Sequence, residues 1–408
     1  MIDSGNTYKG INYLRNKLGG KRARIDLRYK YYEMKHLAED MQISTPPQLR
    51  WMMYSLGWCG KSVDALADRL SFGMFSNDAY NLQGIYDMNN KDVLIDSAIL
   101  GALICSCSFI YITQDSDGFP LMRSIDARDA TGIIDTTTHM LKEGYAVLEA
   151  DEHGTPITEL YLVPYRTEFW QKGELVRSYA HTAPYPLLVP VIYKPDIKRP
   201  FGHSRITRAC MNLQDGAART IKRSEISAEF YSYPQRYVLG MDPDAKRMDT
   251  WRATMSAMLR IDKDDSGDKP SVGQFTQQSV APHLDQIKAF AGMFAGETGL
   301  TLDDLGFPSQ NPSSSEAIKA SHENLRLIAR KAQRDFSVGL LNAGYLAACL
   351  RDGMTYKRNQ LYQTQVKWAP IFEPDVTALG GIGDAVQKIQ TSFPDYFNEE
   401  KLFNLTGI

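Results

Sequence analysis

Residues 201–240, FGHSRITRACMNLQDGAARTIKRSEISAEFYSYPQRYVLG, are the stretch on which the reading of this chain turns. From Ser204 to about Glu229 the pattern is that of one long helix, and residues 231–240, YSYPQRYVLG, read as a strand. Downstream, Asp242-Pro243 is a strong helix start, a capping Asp followed by Pro at the first helical position. The predicted helix carries Met248, Trp251, Met255 and Leu259 and ends in the charged loop RIDKDDSGDKPSVG. A strand-like VGQFTQQSV follows. A further helix begins near Pro282, with Leu284, Ile287, Ala291 and Phe294 on one face, and closes at Gly299. After the Pro- and Ser-rich loop LGFPSQNPSSS, Ser313 to Glu316 fits a capping box. It opens a long helix to about Leu350 with apolar positions Ile318, Leu325, Ile328, Ala332, Phe336 and Leu340.

Upstream, Phe109 to about Tyr193 alternates polar and apolar residues in short runs such as FIYITQ, GYAVLEA and ELYLVP. The turn sequences DSDG, DEHG and QKGE separate them, which predicts an antiparallel meander. Residues 97–112, SAILGALICSCSFIYI, are too short for a comfortable membrane span and read as a buried helix turning into a core strand. Val63, Leu66, Ala67 and Leu70 have helical spacing. Residues 1–40 are basic and aromatic: Lys17, Lys21, Arg22, Arg24, Arg28 and Lys30 accompany Tyr29, Tyr31 and Tyr32. They read either as a solvated helical surface or as an arm for a neighbouring subunit or nucleic acid.

Composition narrows the function classes. The chain has 408 residues, 43% hydrophobic and 23% charged, with a formal net charge of −2. That is ordinary for a folded protein and unlike a free nucleic-acid binder with a basic surface. Cys59, Cys105, Cys107, Cys210 and Cys349 are an odd, scattered set that suits a reducing compartment and completes no zinc site. The opening MIDSGNTYKG is polar, with no signal peptide. Ser55 to Ser62, SLGWCGKS, nearly matches a phosphate-binding loop through Gly60-Lys61-Ser62, but Ser55 stands where the leading glycine is needed. Gly202-His203-Ser204-Arg205-Ile206 lacks the closing glycine of a nucleophile elbow. The seven histidines are dispersed, and the acidic cluster Asp262, Asp264, Asp265 and Asp268, with Lys263 and Lys269 among them, lacks the closing Glu and the spacing of a calcium loop.

Several segments, in order, resemble phage portal proteins, particularly the shorter type of long-tailed phages. They are KSVDALADRLSFGMF at 61–75, where a helix with Val-Asp and Arg-Leu leads into a Gly-Phe-like turn, and DSAILGALICSCSFIYIT at 96–113. The most telling is 201–240, with its Gly-x-Ser-Arg turn, Leu-Gln-Asp helix and Pro-Gln-Arg strand. NPSSSEAIKASHENL at 311–325 and VKWAPIFEPDVTALGGIGDAVQKI at 366–389 complete the set.

The resemblance implies an α+β portal fold. Residues 1–240 would be a mixed wing, 241–260 and 282–299 the two stem helices, and 261–281 a small clip with Asp262, Lys263, Asp264 and Asp265. Residues 300–314 would be a tunnel loop with Phe307, Pro308, Ser309, Gln310 and Asn311. Residues 315–354 would be the long helix and 355–408 the outer wing and a helical crown. It also implies a ring of twelve subunits at one capsid vertex of the virion, assembled in the host cytoplasm. Double-stranded DNA would pass through it, and the terminase large subunit, a head–tail adaptor, the major capsid protein and scaffolding protein would be its partners. No catalysis, cofactor, metal or membrane is implied. Other readings are a different head-completion or connector protein of the virion, and a nucleotide-dependent enzyme using Gly60-Lys61-Ser62.

One feature follows from spacing alone. Lys319, Arg326, Arg330 and Arg334 recur at intervals of seven, four and four, which places them on one helix face with Glu323. They read as a solvated face with intrahelical ion pairs, or as a set that bridges subunits or faces DNA. At −2 per chain a ring of twelve would carry 12 × −2 = −24. A tightly binding channel would stall sliding DNA, because phosphate contacts are strong.

Overall fold

The structure, a computed structural model, describes residues 8–39, 45, 47–232, 236–239, 271–274, 279–308, 315–361, 363–372, 376–394, 396–397 and 401–402. The predicted first stem helix, clip residues Asp262, Lys263, Asp264 and Asp265, loop residues Ser309, Gln310 and Asn311, and the Ser313 cap lie outside them. The chain divides into two compact units. One comprises Met1–His36, Gly57–Met211 and Gly296–Ile408; the other comprises Leu37–Leu56 and Asn212–Ala295.

The core of the first unit follows from the apolar run at 97–112. Helix α4 (Lys91–Cys105) stops at Ser106, whose φ of 91° breaks the helix, and strand β2 (Cys107–Gln114) leaves at once. Phe109, Ile110 and Ile112 are wholly buried, as befits a strand covered on both faces. It is the centre of an antiparallel sheet with β3 (Pro120–Asp126) and β9 (Leu188–Ile192) in the order β3-β2-β9. The meander between them forms a second sheet, β4 (Ala130–Ile134), β5 (Leu141–Ala150), β6 (Pro156–Val163), β7 (Arg166–Gln171) and β8 (Glu174–Ala180), paired in sequence order.

Helix α1 (Ile11–Tyr32) carries the basic N-terminal segment: Arg24 and Lys30 are exposed on it, while several of its other cations are used within the chain. Leu14 and Leu18 pack on Tyr145, Val147, Tyr161 and Val163 of the five-stranded sheet. Arg15 forms a forked pair with buried Glu159 at 2.9 and 2.6 Å. Lys17 Nζ donates to Gly132 O at 2.6 Å, and Lys21 Nζ to Thr131 Oγ1 at 3.2 Å. Arg22 binds Gly154 O at 3.2 Å. Ahead of the helix, the buried carboxylate of Glu143 accepts from the amides of Lys9 and Gly10 at 2.8 and 3.0 Å, a negative charge at the positive helix end.

Helix α2 (Trp58–Ala67) carries the apolar spacing seen in the sequence. The Gly-Phe stretch after it is not a turn: Phe72–Ser76 is strand β1, antiparallel to β12 (Gln365–Trp368), with Phe72 opposite Trp368. Helix α3 (Leu82–Met88) follows. The predicted long helix at 315–354 is two helices, α7 (Ser315–Ser321) and α8 (Glu323–Arg351), interrupted at His322. The His322 ring stands 3.7 Å from Asp304 and faces Phe372, tertiary contacts that periodicity does not encode. Ile318 is exposed, whereas Leu325, Ala332, Phe336 and Leu340 are buried as predicted. Small residues let α8 pack closely: a Cβ on Gly339 would lie 3.1 Å from Pro190 O, and one on Gly344 3.0 Å from Leu82. Tyr86 Oη donates to Leu340 O at 2.7 Å across the buried α3–α8 contact.

In the second unit, α5 (Arg208–Ser232) runs along α6 (Ala281–Thr298). A Cβ on Gly216 would lie 3.0 Å from the Phe290 ring, and Thr220 Oγ1 donates to Gln286 Oε1 at 3.3 Å. Ile287, Ala291 and Phe294 are buried, but Leu284, predicted on the same face, is exposed. Strands β10 (Arg236–Leu239) and β11 (Ser271–Gln274) form an antiparallel pair. In the first unit, helix α9 (Val376–Ser392) follows β12 as predicted.

The turn at 202–205 closes the end of α4. A helix leaves its last four carbonyls without partners. Here Ala102 O accepts from Ser106 N at 2.8 Å and Leu103 O from Arg205 N at 2.8 Å. Ile104 O accepts from Ser204 Oγ at 2.6 Å, and Cys105 O from Arg28 Nη1 at 3.0 Å. The buried Arg205 guanidinium donates onward to Ser62 O at 3.1 Å and Thr298 O at 2.5 Å. Gly202 has φ 74°, and a Cβ there would lie 2.1 Å from Tyr193 O, so only glycine fits. Arg205→Ala should lower the unfolding free energy by about 3 kcal/mol, with Arg205→Lys recovering little because one ammonium cannot span both carbonyls. Urea titration checks this, and unchanged midpoints would contradict it.

His181 offers a second test. Burial lowers the pKa of its imidazole from 6.5 to about 4. The unfolded chain therefore binds this proton more tightly. The stability tied to His181 is present above about pH 6.5 and lost as pH falls toward 4. Wild type should lose stability relative to His181→Leu across that window, measured by thermal melts; parallel curves would contradict it.

Candidate nucleic-acid and subunit interface

The predicted basic residues lie on α7 and α8. Lys319, Arg330 and Arg334 are exposed, and Arg326 is half-buried. Hydrogen bonds of the i→i−4 kind continue across the interruption, from His322 N to Ile318 O at 3.3 Å and from Arg326 N to His322 O at 3.0 Å. The set is therefore divided at His322 yet follows one helical path. Glu323 holds Arg326 through two 2.6 Å hydrogen bonds. That pairing, with Arg330 nearby, keeps the Glu323 carboxyl below its ordinary range and raises Arg326. Asp335 accepts from Lys194 N at 3.2 Å, and its own burial raises its pKa. The face thus combines one internally neutralised cation, Arg326, with the exposed cations Lys319, Arg330 and Arg334.

Sequence reasoning missed the residues beside this face. Arg326 and Arg330 share a groove of about 290 Å³ with Gln333, Trp368 and Phe372. Trp368 Nε1 donates to Ser337 Oγ at 2.9 Å, which fixes the indole against α8. The segment VKW signalled a strand, but nothing in it showed that the strand ends beside the arginines.

The predicted tunnel loop begins in a tight local structure. Thr301 N and Oγ1 both donate to Asp304 Oδ2 at 2.9 Å, and Phe307 N returns to Leu302 O at 3.0 Å. Gly306, at φ 89°, makes the reversal. Phe307 is half-buried and Pro308 exposed.

The nucleotide reading fails on geometry. Gly60, Lys61 and Ser62 lie inside α2, not in a loop, and Lys61 N bonds Gly57 O at 2.9 Å. Ser62 is wholly buried, with its hydroxyl donated to Cys59 O at 2.8 Å. No backbone amides converge there to cradle phosphate. Among the described residues no group of three or more His, Cys, Asp or Glu could hold a metal ion, and no helix is long and apolar enough to cross a membrane. All five cysteines are buried free thiols, and burial raises those of Cys105 and Cys107.

Comparison with known proteins gives the class. Residues 12–378 match the family described as phage portal protein, SPP1 Gp6-like, and the chain belongs to that family. The portal protein of Mycobacterium phage L5 is 24% identical over 329 residues, covering 76% of this chain and 67% of that protein. The portal protein of Mycobacterium phage D29 is 25% identical over 317 residues, covering 72% of this chain and 65% of that protein. The chain thus spans about two thirds of the length of these relatives. Among solved structures it is similar to a chain of the virion of a native gene transfer agent particle, at TM-score 0.44 and 14% identity over 85% of this chain and 89% of that one. A chain from the neck of the native particle, computed with C12 symmetry, gives TM-score 0.45 and 13% identity over the same shares.

Calorimetric titration with magnesium and ATP should give no saturable heat. Binding that Lys61→Ala abolishes would reinstate the nucleotide reading.

Proposed function

We propose that this portal-family chain closes into a ring of twelve at one vertex of the virion head and serves as a passive conduit for double-stranded DNA. The family match over residues 12–378 carries the reading. A packaging motor, the terminase large subunit, supplies the work, so the ring needs no catalytic group, and a head–tail adaptor later docks on it. The major capsid protein and scaffolding protein surround it during assembly in the host cytoplasm. On this reading residues 261–281, with Asp262, Lys263, Asp264 and Asp265, form the clip. Phe307, Pro308, Ser309, Gln310 and Asn311 form a tunnel loop that touches DNA by shape, since the loop 306–314 carries no Lys or Arg.

The exposure of Lys319, Arg330 and Arg334 supports assigning that face to the channel. With Arg326 neutralised by Glu323, a few cations per subunit would attract phosphate without holding it, which suits a duplex that must slide. Arg330→Glu should leave ring assembly intact and reduce packaged DNA at least ~10-fold, a loss of the order expected for a reversed charge at a phosphate contact. Assembled rings are counted by native mass and DNA by quantification of filled heads. Normal packaging would contradict the channel assignment; loss of the rings would place the face against a neighbouring subunit.

A further inference from the structure

A second basic feature lies away from α7 and α8 and does not depend on the ring reading. Helix α1 and the turn 199–203 enclose a cavity of about 290 Å³. Five of its lining residues are cations, Lys17, Lys21, Arg24, Arg28 and Arg199, with His203 beside them, and no Asp or Glu lines it. The Phe201 ring forms one wall, with Lys17 Nζ and Lys21 Nζ 5.2 and 4.8 Å from its centroid. Of the neighbouring carboxylates, Asp126 accepts from Tyr29 Oη at 2.5 Å, and Asp196 pairs at the cavity edge with the lining residue His203, whose Nε2 lies 2.6 Å away.

The cations retain unused donors. Lys17 and Lys21 are each given one hydrogen bond of their three N–H groups, and Arg28 one of its five. Arg24 is exposed and forms no hydrogen bond or ion pair among the described residues. Concentrating like charges in a partly buried pocket is unfavourable unless an anion joins them. The chain shows that strain: burial, together with the neighbouring Lys21 and Lys9, lowers the Lys17 ammonium to about 8.

We propose that this cavity binds a phosphate group, held by Lys17, Lys21, Arg24 and Arg28 against the 199–203 turn. The anion would join α1 to the same turn that closes α4, so occupancy would stabilise the first unit. Its source is either free inorganic phosphate or a phosphodiester of the DNA backbone.

The test uses the full chain at pH 7, melted in sodium phosphate and in sodium chloride at matched ionic strength, with parallel calorimetric titration of inorganic phosphate. Phosphate should raise the wild-type melting point by at least about 2 °C over chloride. Lys21→Gln should abolish that gain. Arg24→Gln, at an exposed position that leaves the fold intact, should weaken phosphate binding ~10-fold, as for a lost charge-assisted hydrogen bond. Equal melting in both salts would overturn the proposal. So would a phosphate gain undiminished in Arg24→Gln, which would mark a general salt effect. Adding a short DNA duplex to the phosphate complex then separates the sources. Displacement of phosphate supports the site with a backbone phosphodiester as its ligand, and retention supports it with free phosphate.

Discussion

Four carbonyls at the end of α4 constrain most of the first unit. The helix must stop for β2 to enter the core, and stopping leaves backbone oxygens in a place without water. Ser204, Arg205 and Arg28 supply the missing donors from two distant parts of the chain. Arg205 then carries the same solution onward, its guanidinium shared between α2 at Ser62 and the last residue of α6 at Thr298. A helix C-terminus is electronegative, so a cation buried there is stabilised without a carboxylate. Gly202 is the geometric condition for all of this, since the chain passes too close to Tyr193 O for any side chain.

The same economy governs charge. A chain of net −2 has 46 basic residues, and helix α1 directs three of its own, Arg15, Lys17 and Arg28, to Glu159 and to backbone carbonyls. What remains exposed on α7 and α8 is a short set, one member of which is already paired. A conduit for DNA needs weak, renewable contacts. The 48 acidic residues hold the net charge near zero.

Legibility in the sequence tracked the range of the determining contact. The α4–β2 junction was readable because a continuous apolar run must be buried wherever it goes, and the meander because DSDG, DEHG and QKGE mark its turns locally. The destination of α1 was not readable, since the partners of Arg28 and Arg15 lie 77 and 144 residues away. Strand β1 passed for a turn because its pairing among the described residues is with the distant residues 365–368. The break at His322 answers to Asp304 and Phe372 rather than to its own neighbours. The Gly-x-Ser-Arg turn was visible as a pattern, but its purpose emerged only with the carbonyls it satisfies. For the candidate site, the spacing of Lys319, Arg326, Arg330 and Arg334 gave one helical path but not its division at His322; the adjoining Trp368 and Phe372 came from β12 and its exit, beyond any local signal.

Membership of the portal family makes assembly the central claim, and direct imaging of the purified full-length chain tests it. The account predicts closed rings with a central hole and a native mass that is a multiple of the 46.0 kDa subunit. A compact monomer at all concentrations and salt conditions would contradict it.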